Sequence, residues 1–248
     1  MTRDPVAPEP AGEGGQGVSG QSVLAVFAHP DDAELGCFGT LASLREVGFG
    51  VHIVSLTSGS SSSSPHAAWR TAEAKESASV IGANLVIENF VDGGLELKRE
   101  TYACVAEHLS RTNPSVVITH MTGAQDHQDH ETAGMAALTM AGRCTGVKLI
   151  LQTEPPLMNN LFCPNFYVDI TGFMPHKLAA VGQYVSERGK PYVAEQAIRD
   201  RATWWARQAE THEVTDTRYY EAFRMTKAKL YPQWLVPGLS APAQEPLA

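Results

Sequence analysis

The stretch Ala28-His29-Pro30-Asp31-Asp32-Ala33-Glu34 follows directly on the apolar run Val23-Leu24-Ala25-Val26-Phe27. A short, unbroken apolar run bounded by a turn signal predicts a strand buried on both faces, the kind found in a parallel sheet covered by helices. One imidazole and three carboxylates leaving such a strand are costly to desolvate unless something positive binds them. In open α/β sheets, ligands bind at that end of the strand. Placement and composition therefore both point to a metal site.

A second segment repeats the arrangement further along. Val116-Val117-Ile118-Thr119 reads as another buried strand, followed by His120 and then by Asp126-His127-Gln128-Asp129-His130, before a helical pattern that opens at Glu131. Two strand ends would thus deliver His and Asp clusters to one edge of one sheet. Imidazole nitrogens with a carboxylate oxygen suit zinc, and three protein ligands with an open fourth position make a catalytic site.

Between these segments strand and helix patterns alternate, which predicts βαβ units in a doubly wound, mostly parallel α/β sheet with helices on both faces, in a single Rossmann-like domain. Strands are expected at 22–28, 51–57, 84–91, 115–120, 147–152 and 166–170, and helices at 34–47, 66–82, 99–112, 131–143, 174–186 and 194–210. Residues 1–20 are rich in Pro, Gly and Glu and read as a disordered tail. The domain then spans 21–235, and 236–248 form a flexible C-terminal tail. The Ser-rich segment Ser58–Ser64 suits either a substrate-facing lid or a solvated connector.

With 248 residues and 43% hydrophobic content, the chain can bury a substantial core. Its net charge of −8 comes without a basic stripe, which argues against nucleic acid and anionic membrane surfaces as partners. No apolar stretch is long enough to span a bilayer, and the N-terminus lacks the pattern of a secretory signal, so a cytoplasmic protein is expected. A homo-oligomer is left open. Cys37, Cys104, Cys144 and Cys163 show no C-x-x-C spacing and are expected as free thiols. His52, His66, His108, His176 and His212 lack ligand-like spacing and are expected to be structural or superficial, as is His120.

The two acidic–histidine segments resemble the A-H-P-D-D-x-E and H-x-D-H signatures of the LmbE-like (PIG-L) zinc-dependent N-deacetylases. Further similarities follow in order: Arg70 with Glu73, Asp92-Gly93-Gly94, Val168-Asp169-Ile170 with Lys177 and Tyr184, and Tyr220-Glu221-Ala222-Phe223. Together they cover roughly residues 21 to 225. The resemblance implies that His29, Asp32 and His130 hold one Zn²⁺, or Fe²⁺, which accepts the same donors. It implies Asp31 as general base, with His127 stabilising the oxyanion or protonating the leaving amine. Asp129 is expected to pair with His127 and keep it charged, and Glu34 to accept a hydrogen bond from a ligand imidazole. Arg70 suits a substrate hydroxyl or carboxylate, or an ion pair with Glu73. Asp92 suits a turn or a sugar hydroxyl.

The implied substrate is a small N-acetylated amino sugar or glycoconjugate, and the implied reaction is amide hydrolysis. Alternatives from the same ligands are an amidase acting on a larger acyl or thiol-conjugate substrate, another metallohydrolase, or a non-catalytic metal protein. Three departures from the family pattern stand out, the first being Gln128 in place of the usual Pro of H-P-D-H. Phe38 occupies a place where a glycine often lets the first helix approach its neighbour. Gln125 and Asp126 lie where some members carry an oxyanion-assisting tyrosine. Adjacent aromatics such as Trp204 and Trp205 suit a core better than a sugar-stacking surface.

Overall fold

Strand β1 (Ser22–Phe27) lies inside the sheet, with a strand on either side, and is buried along its whole length. Its unbroken apolar run serves two faces. Val23, Ala25 and Phe27 pack on one side with Ala33, Cys37, Phe38 and Leu41 of helix α1 (Asp32–Glu46). Leu24 and Val26, with Ala28 just beyond the strand, pack on the other side. There they meet Val105 and Leu109 of α3 (Arg99–Thr112) and the alanines of α4 (Gln128–Arg143). A strand sandwiched between helices has no solvated face, so apolar–polar alternation is absent from its sequence.

The computed structural model describes residues 20–60, 69–123, 127–157, 161–210 and 217–229. Both expected tails, apart from Gly20, lie outside them, as do residues 61–68 of the Ser-rich region, Gln125 and Asp126. The remaining elements are β2 (Gly50–Thr57), α2 (Arg70–Ser79), β3 (Asn84–Phe90), β4 (Val116–His120), β5 (Leu149–Thr153), β6 (Phe166–Asp169), α5 (Met174–Val181), α6 (Glu195–Ala209) and β7 (Tyr220–Ala228).

The seven strands run in the order β3-β2-β1-β4-β5-β7-β6. Strands β1 to β5 are mutually parallel, and β7 is antiparallel to both β5 and β6. The chain builds outward from β1 to β3 and then returns to place β4 on the other side of β1. The crevice between the carboxyl ends of β1 and β4 is the topological switch point, where α/β sheets bind ligands.

Two close approaches set the helices. A Cβ on Gly39 would stand 2.7 Å from Cδ1 of Ile170, so Gly39 supplies the close packing of α1. Phe38 is fully buried against the sheet instead, and the looser contact expected from it is not what the structure shows. A Cβ on Gly134 would stand 2.8 Å from the carbonyl oxygen of His120, so α4 rests directly on the end of β4. The last strand is locked by a buried ion pair. Glu221 on β7 accepts from the N–H groups of Gly39 and Thr40, from the Thr40 hydroxyl and from Nζ of Lys177, which also donates to the Leu35 carbonyl. No helix among the described residues is long and apolar enough to cross a membrane.

Candidate active site

The turn after β1 is strained at one residue. Asp31 caps α1 with φ 99° and ψ −23°, a left-handed conformation that a non-glycine residue holds at a cost of about 1–3 kcal/mol. Arg70, at the start of α2, braces it. Its Nη2 donates to the Pro30 carbonyl at 2.6 Å and pairs with Oδ1 of Asp31 at 2.8 Å. Nε of Arg70 lies 3.4 Å from Oε1 of Glu187, and Glu187 in turn pairs with Lys190. Arg70 thus pairs with Asp31, not with Glu73, and it also lines the cavity beside Asp31. Glu73 accepts from the N–H and hydroxyl of Ser186.

The left-handed turn aims the next carboxylate inward. Oδ2 of Asp32 accepts from the His29 N–H at 2.7 Å and lies 3.5 Å from Nδ1 of His29. Oδ1 of Asp32 lies 3.3 Å from Nε2 of His130, and Nδ1 of His29 lies 3.2 Å from that same Nε2. The three residues expected as ligands are thus brought together from two strand ends. All three are more than nine-tenths buried.

His120 belongs to the same cluster, which the sequence did not indicate. Its Nε2 lies 3.1 Å from Oδ2 of Asp32 and also accepts from the Ala28 N–H at 3.1 Å. Its ring stacks on His130 at 4.1 Å. Burial, with His130 alongside, pulls its pKa down to about 4, so this imidazole is neutral.

Helix α4 begins at Gln128, three residues earlier than the helical pattern suggested. His127 is its N-cap, with Nδ1 accepting from the Asp129 N–H at 3.2 Å. A cap is a natural place for a side-chain acceptor. His127 and His130 therefore sit one turn apart, with ring centroids 5.1 Å from each other. Burial, together with His29 and His130, lowers the pKa of His127, while Asp129 and Asp32 pull the other way. With Nδ1 occupied as acceptor, the ring proton resides on Nε2.

Asp129 does not pair with His127 through its side chain. Its carboxylate accepts from the N–H groups of Gly93 and Leu95 and lies 3.3 Å from Nε2 of His29. Asp92 also reaches His29, with Oδ1 3.0 Å from Nε2. Burial alone would lower the His29 pKa, but Asp129, Asp32 and Asp92 outweigh it and push the ring up to about 12. Burial likewise favours a neutral Asp32, yet His130 and His120 hold its carboxyl well below the usual range. Glu34 faces away from this cluster: it accepts from the hydroxyls of Ser77 and Tyr184, not from a ligand imidazole.

These groups open on a cavity of 320 Å³, lined also by Asp31, Arg70, Pro156, Lys190 and Tyr192. Lys190 and Tyr192 come from the segment after α5, which carries no sequence signal for a site. Burial raises the Asp31 pKa to about 7 against the opposing pull of Arg70. Four groups of residues among those described bring candidate ligand atoms within 4.8 Å of one another, and three of these groups lie here: His29 with His127 and His130, Asp32 with His120 and His130, and His29 with Asp92 and Asp129. Cys37 is buried, with its thiol pKa driven up by burial, and it packs rather than reacts. Trp205 packs on Phe162 and Tyr167, whereas Trp204 is half exposed.

The family model for GlcNAc-PI de-N-acetylase (PIG-L) matches residues 24–141, the span from β1 to α4 that builds the cluster. Over this span the chain is similar to the PIG-L family. Among curated relatives, the chain is 29% identical over 173 residues to the uncharacterized deacetylase YaiS of Escherichia coli strain K12, covering 67% of this chain and 91% of the relative. It is 28% identical over 187 residues to the diacetylchitobiose deacetylase of Thermococcus kodakarensis, covering 67% and 70%. The fold is shared more widely. The 4-carboxy-2-hydroxymuconate hydratase GalB of Pseudomonas putida KT2440 superposes with a TM-score of 0.73 at 20% identity, over 85% of this chain and 98% of that one. One fold thus carries more than one chemistry, and the reaction has to be argued from the site.

Proposed function

We propose that this chain is a metal-dependent hydrolase that removes the acetyl group from an N-acetylated amino sugar or small glycoconjugate, with His29, Asp32 and His130 holding one Zn²⁺. The observation that carries the reading is the mutual spacing of the donor atoms. Nδ1 of His29, Nε2 of His130 and the Asp32 oxygens lie 3.2, 3.3 and 3.5 Å apart. A tetrahedral ion with bonds of about 2.0–2.1 Å needs neighbouring donors about 3.3 Å apart. The surrounding charge supports the same reading. Asp32, Asp92 and Asp129 crowd one buried imidazole, an arrangement that calls for positive charge. Asp92 and Asp129 both face Nε2 of His29, which fixes its tautomer and leaves Nδ1 free as a donor to the ion.

A divalent ion in this position supplies Lewis acidity and brings the pKa of bound water toward neutrality. Asp31 then serves as general base. Its pKa near 7 suits proton transfer at neutral pH, and with Arg70 on Oδ1 the proton goes to Oδ2. His127, neutral and protonated on Nε2, donates a hydrogen bond to the developing oxyanion. Arg70 and Asp92 act as positioning residues for Asp31 and His29 rather than as sugar-binding groups. The products are acetate and an amine, and a cationic amine suits the acidic cavity. The sugar substrate is supported by the likeness to a diacetylchitobiose deacetylase.

The test combines metal analysis with an amine-release assay on a panel of N-acetylated sugars, scored by mass spectrometry for loss of one acetyl group. Asp31→Ala should retain metal and lose activity by about 10²–10⁴-fold. Asp32→Ala and His130→Ala should lose the metal itself. A wild type that is fully active without metal would overturn the proposal.

A further inference from the structure

A fourth ligand-like group shares no residue with the cluster above: Glu88, Cys104 and His108, whose donor atoms lie within 4.8 Å of one another. Glu88 stands on β3, the edge strand of the sheet, two residues from Val86 and from Phe90, which pack against the core beneath α3. Strand periodicity thus turns Glu88 toward α3. Cys104 and His108 are four residues apart on α3 and so occupy one helix face. The Cys104–His108 spacing gave no sequence signal because the third member comes from another element.

The geometry points to a second transition-metal site, in which Zn²⁺ is held by the Cys104 thiolate, the His108 imidazole and the Glu88 carboxylate. Nε2 of His108 lies 2.7 Å from Oε1 of Glu88, and the Cys104 sulfur lies within 4.8 Å of the ligand atoms of both. The thiolate is the form that binds metal, so each Zn²⁺ that binds releases the Cys104 proton to solvent. A thiolate–imidazole–carboxylate set selects zinc over magnesium or calcium, which prefer oxygen donors alone.

The position gives the site a consequence. Residues 91–98 join β3 to α3, so an ion bound to Glu88 on one stem and to Cys104 and His108 on the other would clamp both ends of that loop. The same loop presents Asp92 to His29 and the N–H groups of Gly93 and Leu95 to Asp129. Metal at the clamp holds the loop that orients His29.

Cobalt(II) separates the two sites, because only a thiolate ligand produces a sulfur-to-cobalt charge-transfer band in the near ultraviolet, and the cluster around His29 offers nitrogen and oxygen donors only. The full-length chain, stripped of metal, is titrated with Co²⁺. The expected result is a charge-transfer band that Zn²⁺ abolishes by displacement, with one proton released per ion bound at this site. Cys104→Ser should eliminate the band and Glu88→Gln should weaken it, while His130→Ala should leave it intact. A wild type that binds Co²⁺ without the band, or a band that survives in Cys104→Ser, would overturn the proposal. Turnover plays no part in the readout, so the outcome stands apart from that of the deacetylase assay.

Discussion

Nε2 of His29 lies 3.3 Å from Oδ2 of Asp129, a residue with no solvent exposure. Through this contact the first turn of α4 reaches the turn that follows β1, and the same carboxylate ties down the loop after β3 through Gly93 and Leu95. Burial raises the Asp129 pKa, but the hydrogen bonds from His29, Leu95 and Gly93 outweigh it and hold the carboxyl below its ordinary value. The residue is a three-way junction.

Asp129→Asn should therefore damage both metal binding and the fold. The amide keeps one acceptor oxygen but turns a donor toward groups that already donate. Metal affinity is expected to fall by about 10–100-fold, as for other residues that orient a ligand imidazole. Stability should drop by about 1–3 kcal/mol for the weakened charged hydrogen bonds. Isothermal titration with zinc and urea unfolding of the metal-free chain measure the two effects separately.

Arg70→Gln should move the pH profile. Arg70 is the main influence pulling the Asp31 pKa down, against burial that raises it to about 7. A general base works only when ionised, so activity falls as pH drops through its pKa. Removing the guanidinium raises that pKa and shifts the acid limb of kcat/KM to higher pH, with the largest loss below neutrality. A limb that stays in place would show that Asp31 is not the base or that Arg70 does not tune it.

Glu221→Ala should be among the more destabilising single changes in the chain. It would leave Lys177, which is 4% exposed, as an unpaired buried charge and strip acceptors from the N–H groups of Gly39 and Thr40. Breaking one partner of such a pair costs about 3–5 kcal/mol. Glu221→Gln, which keeps an acceptor in place, should cost less. Urea midpoints of the two variants give the comparison.

Gly134→Ala and Gly142→Ala lie on the same helix and should behave in opposite ways. The added methyl at 134 would stand 2.8 Å from a backbone oxygen, which cannot rotate away. Relieving that clash lifts α4 from β4 and carries His130 with it, so a loss of about 1–3 kcal/mol and weaker metal binding are expected. At 142 nothing lies within 4 Å, and alanine should be neutral or stabilise the helix by up to about 1 kcal/mol. Thermal unfolding and zinc titration of both variants check the contrast.

Much of the fold was legible because periodicity reports burial. β1 and β4 announced themselves as unbroken apolar runs, and α3 begins and ends at the residues its pattern indicated. Helix α4 was misjudged at its start because His127-Gln128-Asp129 looks like a polar loop, whereas the histidine is a cap and Asp129 a first-turn residue whose side chain leaves the helix. The placement of β7 between β5 and β6, antiparallel to both, left no trace in the sequence, since strand order depends on contacts remote along the chain.

What the sequence by itself determined was the chemistry available: two strand ends bearing His29, Asp31, Asp32, His127 and His130, imidazoles and carboxylates that suit metal binding and acid–base work. What only the tertiary structure decided was the allegiance of each group. Asp129 contacts His29 rather than His127, Arg70 pairs with Asp31 rather than Glu73, Glu34 turns to Ser77 and Tyr184, and His120 joins Asp32. Residue type and local spacing limit what a side chain can bind. Which partner it finds depends on how separate elements converge, and hydrogen bonds act only over the last few ångströms.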